Sequence, residues 1–175
     1  DKRVQTAARV LRIEYLLNKR PNKLGAGEQQ RVALGRAMVR RPQVFLMDEP
    51  LTNLDAKLRS EMRVELKRLQ RELNTTMVYV THDQTEALSM SQRIAIMNKG
   101  VLQQVGTPLD VYNYPATLFV AGFIGTPPMN FVDCSMDAAT GTLRDARGLF
   151  TYGLTEVQRD KIAAVGDSDL VFGVR

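Results

Sequence analysis

Two short apolar runs, Val44-Phe45-Leu46-Met47 and Met77-Val78-Tyr79-Val80-Thr81, flank a stretch in which Leu54, Leu58, Met62, Leu66, Leu69 and Leu73 return every three or four residues. Unbroken runs of this length suit strands buried on both faces of a parallel sheet, and the spacing between them suits an amphipathic helix. Strand, helix and strand in this order form a βαβ unit, because parallel neighbours need a crossover of a dozen or more residues. The chain is therefore expected to be α/β around a parallel sheet. The two runs stop at Asp48-Glu49-Pro50 and at His82-Asp83. Open parallel sheets bind ligands beyond the carboxyl ends of their strands, so both tips point at one site.

Upstream, Val4, Ala8, Leu11, Ile13, Leu16 and Leu17 suggest a helix ending before Pro21. Leu24-Gly25-Ala26-Gly27-Glu28 then precede a second helical pattern, Gln29 to Val39, closed by Pro42. Downstream, Ile94 to Met97 and Val101 to Val105 around Lys99-Gly100 read as a hairpin. Pro108 begins a short helix through Tyr112, and Ala116 to Ile124 continue as another. After Gly125 the texture becomes β-rich, as in Phe131-Val132 and Leu170 to Val174, with Gly and Asp turns between. A small all-β module is expected there.

With 175 residues, 44% of them apolar and 25% charged, the chain lies in the range of globular proteins, which excludes disorder and collagen. No run of about eighteen apolar residues is present, and one cysteine, Cys134, allows no internal disulfide. The chain begins at Asp1 without a secretory pattern, which reads as a cytosolic protein given without its true start. The net charge of +5 is uneven, for eleven Lys/Arg stand against three Asp/Glu before Pro42. That basic front end suits an anionic partner or a solvated helix face.

Adjacent strand residues point to opposite sides, so Asp48 and Glu49 can divide labour, one toward a Mg²⁺ shell and the other toward an attacking water. Taken alone, the pair also suits a solvated turn. His82 is expected to emerge beside it, where an imidazole can donate to a terminal phosphate, although a lone His also serves as an ordinary surface residue. Glycines before a helix leave N–H groups available to an anion, or simply form a loop.

Together and in this order, these segments resemble the ATP-binding subunit of an ABC transporter. Leu24 to Ala37 look like the signature stretch Leu-Ser-Gly-Gly-Gln with its helix, and Val44 to Pro50 like the Walker B strand with its following glutamate. Leu51-Thr52-Asn53-Leu54-Asp55 look like the D-loop, and Val80-Thr81-His82-Asp83 like the switch-histidine segment. Gly106-Thr107-Pro108, Phe119 to Gly125 and Pro127 to Phe131 look like bacterial sugar importers of the maltose and glycerol-phosphate group.

The resemblance implies the C-terminal part of a P-loop ABC ATPase domain over residues 1–125, followed at 126–175 by the start of an OB-like regulatory domain. It implies ATP and Mg²⁺ as ligands. Asp48 would hold the metal, Glu49 would be the general base and His82 would sense the γ-phosphate. Gly25, Ala26, Gly27 and Glu28 would close over a partner's nucleotide, with Asp55 coupling the subunits. The implied partners are a second ATPase subunit in a head-to-tail homodimer and integral membrane permease subunits, at the cytoplasmic face of the inner membrane. Nucleic acid is not expected. A soluble ABC ATPase working on nucleic acid and an inactive regulatory remnant are the competing readings.

This sequence contains no Gly-x-x-x-x-Gly-Lys-Ser/Thr, the loop that cradles β and γ phosphates, so this chain by itself is expected to bind ATP poorly. The signature-like segment has Gly25, Ala26 and Glu28 where Ser, Gly and Gln are usual. Loss of the hydroxyl forfeits roughly 1.5–3 kcal/mol toward a charged phosphate. A Cβ on left-handed backbone costs about 1–2 kcal/mol. A carboxylate about 8 Å from a phosphate costs roughly 2 kcal/mol at an effective dielectric of about 20. Slow turnover is the expected consequence.

Overall fold

In the computed structural model, β1 (Val44–Asp48) and β2 (Thr76–Val80) pair in parallel across α3 (Ala56–Leu73), with Val44 opposite Thr76 and Asp48 opposite Val80. The description covers residues 1–40, 42–137, 139–165 and 170–175. Asp55 Oδ1 accepts the Leu58 N–H at 2.9 Å, which starts α3 at Ala56 and leaves Leu54 outside it. Met62, Leu66 and Leu69 form its buried stripe, each worth about 1.5–3 kcal/mol of apolar burial. Asn74 ends the helix in a left-handed conformation, φ 47°.

The strands are not covered on both faces, as their composition suggested. Phe45 and Met47 are buried, but Leu46 on the other side of β1 is 79% exposed, and Val44, Val78 and Val80 are also exposed. The alternation places one face of the sheet on the core and leaves the other without cover among the described residues of this unit.

Contacts divide the chain into two units, Asp1–Gln92 and Arg93–Arg175. The first also holds α1 (Lys2–Val10), α2 (Ala26–Val39) and α4 (Gln84–Met90). Its core joins Ala8, Leu11, Leu34 and Met38 to Phe45, Met47, Met62 and Leu66. The first helix is shorter than its apolar pattern implied. Arg12 turns left-handed at φ 53° and Glu14–Leu16 form a 3-10 turn, yet Leu11, Ile13 and Leu16 remain buried. Arg31 of α2 secures this turn by donating to the Arg12 carbonyl and the Tyr15 hydroxyl, both at 3.3 Å.

The second unit begins with an antiparallel hairpin, β3 (Ile94–Asn98) and β4 (Val101–Gly106). Its two turn residues, Lys99 and Gly100, both have positive φ, the twist that suits a two-residue hairpin loop. Next come α5 (Pro108–Asn113) and α6 (Leu118–Phe123), capped by Thr107 and Thr117. The remaining strands are β5 (Asn130–Asp137), β6 (Thr142–Asp145), β7 (Thr151–Gly153) and β8 (Leu170–Val174). They form one antiparallel sheet ordered β7-β6-β5-β8, in which the last strand returns beside the first, the order of a Greek key.

The expectation of an all-β module is corrected by α7 (Glu156–Val165), which lies between β7 and β8. Its start is fixed reciprocally. Thr155 N–H donates to Gln158 Oε1 at 2.9 Å, and Gln158 N–H donates to Thr155 Oγ1 at 3.3 Å, a capping box of the Thr-x-x-Gln type. Cys134, Leu143 and Leu154 form the small core beneath it.

Candidate functional site

The strand ends bring Glu49 and His82 together. Glu49 follows β1 and turns left-handed at φ 44°, while its N–H still donates to Val80 O at 2.9 Å. The carboxylate is therefore aimed by a backbone turn rather than by strand alternation. Its Oε1 lies 3.0 Å from His82 Nδ1, and its Oε2 accepts the Thr52 hydroxyl at 3.1 Å. A carboxylate can only accept, so Nδ1 carries the shared hydrogen and Nε2 lies on the far side of the ring. The His82 hydrogen bond, followed by that from Thr52, holds the Glu49 carboxyl below the usual carboxylate range. Both residues remain open to solvent, with side chains 72% exposed for His82 and 44% for Glu49.

Asp48 ends β1, exposed, and its carboxylate makes no hydrogen bond or ion pair among the described residues. A carboxylate in that condition suits a Mg²⁺ ion that takes its other ligands from phosphate and water. Among the described residues no group of three His, Cys, Asp or Glu side chains could hold a metal by itself.

The segment read as a loop before the second helix is that helix's first turn. Gly25 is the N-cap, and Ala26, Gly27 and Glu28 open α2. Ala26 has no positive φ, so the left-handed cost foreseen there does not arise. Glu28 Oε2 accepts the Gly25 N–H at 3.0 Å and Oε1 lies 3.5 Å from Lys19 Nζ. The Gly25 hydrogen bond is the main cause that keeps the Glu28 carboxyl below its ordinary range. Its charge thus already engages one donor of the helix start. Asp55 stands at the start of α3 as its cap, its carboxylate accepting the Leu58 N–H.

Three polar residues join the site without having been legible as site residues. Gln30 of α2 donates from Nε2 to the Glu49 carbonyl at 3.0 Å and accepts the Asn53 N–H at 3.3 Å. Thr52 holds the Glu49 carboxylate. Glu86 of α4, 4% exposed, accepts hydroxyls from Tyr79 at 2.9 Å and Thr81 at 2.8 Å. The only available hint for Gln30 was its position one turn beyond Gly27. The other two owe their partners to the fold.

Residues 1–52 match the family model described as ABC transporter. The chain is related to the ATP-binding cassettes of ABC transporters. It is 65% identical over 133 residues to the trehalose/maltose import ATP-binding protein MalK of Thermococcus litoralis, covering 76% of this chain and 36% of that protein. It is 56% identical over 174 residues to the xylose/arabinose import ATP-binding protein XacK of Haloferax volcanii, covering 99% of this chain and 44% of that one. The sn-glycerol-3-phosphate import ATP-binding protein UgpC of Rhodopseudomonas palustris is 55% identical over 154 residues, 88% of this chain and 43% of its own. The chain thus spans less than half the length of these relatives.

Among solved structures, the ATP-binding cassette MJ0796 in a dimeric post-hydrolysis state with ADP and Pi matches with TM-score 0.56 and 33% identity, over 61% of this chain and 46% of that one. The cassette cbiO1 of Clostridium perfringens, part of the ABC transporter complex cbiONQ, matches with TM-score 0.57 and 31% identity, over 66% of this chain and 46% of its own. The α/β fold is accordingly that of part of an ABC ATPase cassette.

Proposed function

We propose that this chain is part of the ATP-hydrolysing subunit of an ABC importer that powers uptake of a carbohydrate or a related solute. The observation that carries the reading is the Glu49–His82 pair, 3.0 Å apart at neighbouring strand ends. Identities of 55–65% to named import ATP-binding proteins support the same reading. Residues 1–125 are read as cassette and 126–175 as the start of an OB-like regulatory domain, whose Greek-key order fits a small barrel.

Glu49 orients the attacking water and accepts its proton. A carboxyl held below its usual range by His82 and Thr52 is ionised at neutral pH, the form able to accept that proton. His82 donates to Glu49 from Nδ1, which leaves Nε2 for the γ-phosphate. Donation from both nitrogens requires the protonated ring. Asp48 would hold Mg²⁺, with the rest of its ligands coming from nucleotide and water. When bound there, Mg²⁺ would supply charge neutralisation for the nucleotide phosphates.

Gly25, Ala26, Gly27 and Glu28 with Asp55 serve the nucleotide of a second subunit in a head-to-tail homodimer. Integral membrane permease subunits are the further partners, at the cytoplasmic face of the inner membrane. No described helix of this chain is itself long and apolar enough to cross a bilayer.

Calorimetry with MgATP tests the reading in two preparations, the 175-residue chain and that chain joined to the phosphate-loop half of the Thermococcus relative. The joined protein is expected to bind in the micromolar range, with Asp48→Asn weakening the Mg²⁺-dependent part. A folded hybrid that binds no nucleotide contradicts the reading, as does binding unaffected by Asp48→Asn.

A further inference from the structure

Burying a carboxylate is costly unless donors converge on it, and Glu86 is the one buried charged residue among those described. From α4 it meets the end of β2, where Tyr79 of the strand and Thr81 just beyond it both reach its carboxylate. Glu86 Oε2 accepts the Tyr79 hydroxyl at 2.9 Å and the Thr81 hydroxyl at 2.8 Å. Burial, reinforced by this bond to Glu86, pushes the Tyr79 phenol well above its ordinary range, so it stays a donor.

Thr81 is the relay. Its hydroxyl has one hydrogen, which goes to Glu86, and the oxygen then accepts the Asp83 N–H at 2.9 Å. Asp83 Oδ1 in turn accepts the N–H groups of Thr85 at 2.8 Å and Glu86 at 3.4 Å, closing the chain of bonds on α4. His82 lies between the two residues so tied. It has no buried anchor of its own, being 72% exposed with its ring on Glu49.

We propose that Glu86 is a positioning residue for His82, acting through Thr81 to fix the segment 81–83 so that the imidazole meets Glu49. Without an acceptor at position 86 the Thr81 hydrogen must find another direction, and the Thr81–Asp83 turn loses its lock. The importance of this placement rests on the reading of Glu49 and His82 as the hydrolytic pair. The placement itself is independent of nucleotide.

The chain contains a single histidine, so the ring resonances of His82 are unambiguous in a ¹H–¹³C spectrum of the 175-residue protein. Glu49→Ala supplies the reference shift for a ring without its partner. Glu86→Leu is expected to move the His82 signal more than half of the way to that reference. Glu86→Gln, which keeps an acceptor, is expected to restore most of the native shift. A folded Glu86→Leu protein with the His82 signal unmoved overturns the proposal, and so does Glu86→Gln moving it as far as Glu86→Leu does. Should Glu86→Leu fail to fold, Thr81→Val removes the relay alone and must displace the same signal; an unmoved signal there also overturns the proposal. Because no nucleotide is added, these results stand apart from whether the complete protein hydrolyses ATP through Glu49.

Discussion

The Gln30 carboxamide donates to the Glu49 carbonyl at 3.0 Å while accepting the Asn53 N–H at 3.3 Å, so one side chain of α2 holds both ends of the turn after β1. The turn carries a non-glycine residue at positive φ, a conformation that costs about 1–2 kcal/mol and persists only when neighbours fix it. Gln30→Leu removes both bonds at little change in volume. It is expected to destabilise the first unit by about 1–3 kcal/mol, at roughly 0.5–1.5 kcal/mol per bond, measured as a lower urea midpoint at constant slope.

Gly27 sits one turn before Gln30, where an added Cβ would meet the Asn53 carbonyl at 3.1 Å. In an exposed helix interior Gly→Ala gains about 1 kcal/mol. Here the backbone contact opposes that gain, and Gly27→Ala is expected to give no stabilisation in the same unfolding measurement.

Gly25 differs, because nothing lies within 4 Å of a Cβ built there and its φ of −69° suits any residue. Gly25→Ser is expected to add an N-cap and raise stability by a few tenths of a kcal/mol, read as a small rise in Tm. Combined with Ala26→Gly and Glu28→Gln in the complete protein, it is expected to raise ATP turnover at least about tenfold, or about 1.4 kcal/mol in the barrier. An unchanged rate would count against the slow turnover expected from Gly25, Ala26 and Glu28.

The βαβ unit was legible because burial writes itself into apolar spacing, as at Phe45, Met47, Met62, Leu66 and Leu69. The same signal overreached at Leu11, Ile13 and Leu16, which are buried without continuing a helix, and at Leu46 and Val78, which are apolar and exposed. Helix α7 was hidden by its weak apolar stripe, although Thr155 and Gln158 carried its start signal. Glu49 and His82 could be paired from strand ends alone. Gln30, Thr52 and Glu86 could not, since a polar side chain does not name its partner until the backbone has brought one within about 3 Å.

The Glu49 carboxyl lies below its ordinary range because His82, then Thr52, bonds its ionised form. A group depressed in the folded state contributes stability that is present above its unfolded value and lost as pH falls through the folded one. His82→Ala is expected to raise the Glu49 midpoint toward the usual carboxylate value, followed by the ¹³C carboxyl shift. It should also reduce the loss of stability on acidification in that interval.

Under the proposed function Glu49 is the general base of ATP hydrolysis. Steady-state ATP hydrolysis by the chain completed with a phosphate-loop half, compared with its Glu49→Gln counterpart, tests it most directly. The expected result is a fall in kcat of about 10²–10⁴-fold with MgATP binding retained, the size of a general-base contribution. Hydrolysis at an undiminished rate in the Glu49→Gln protein would contradict it.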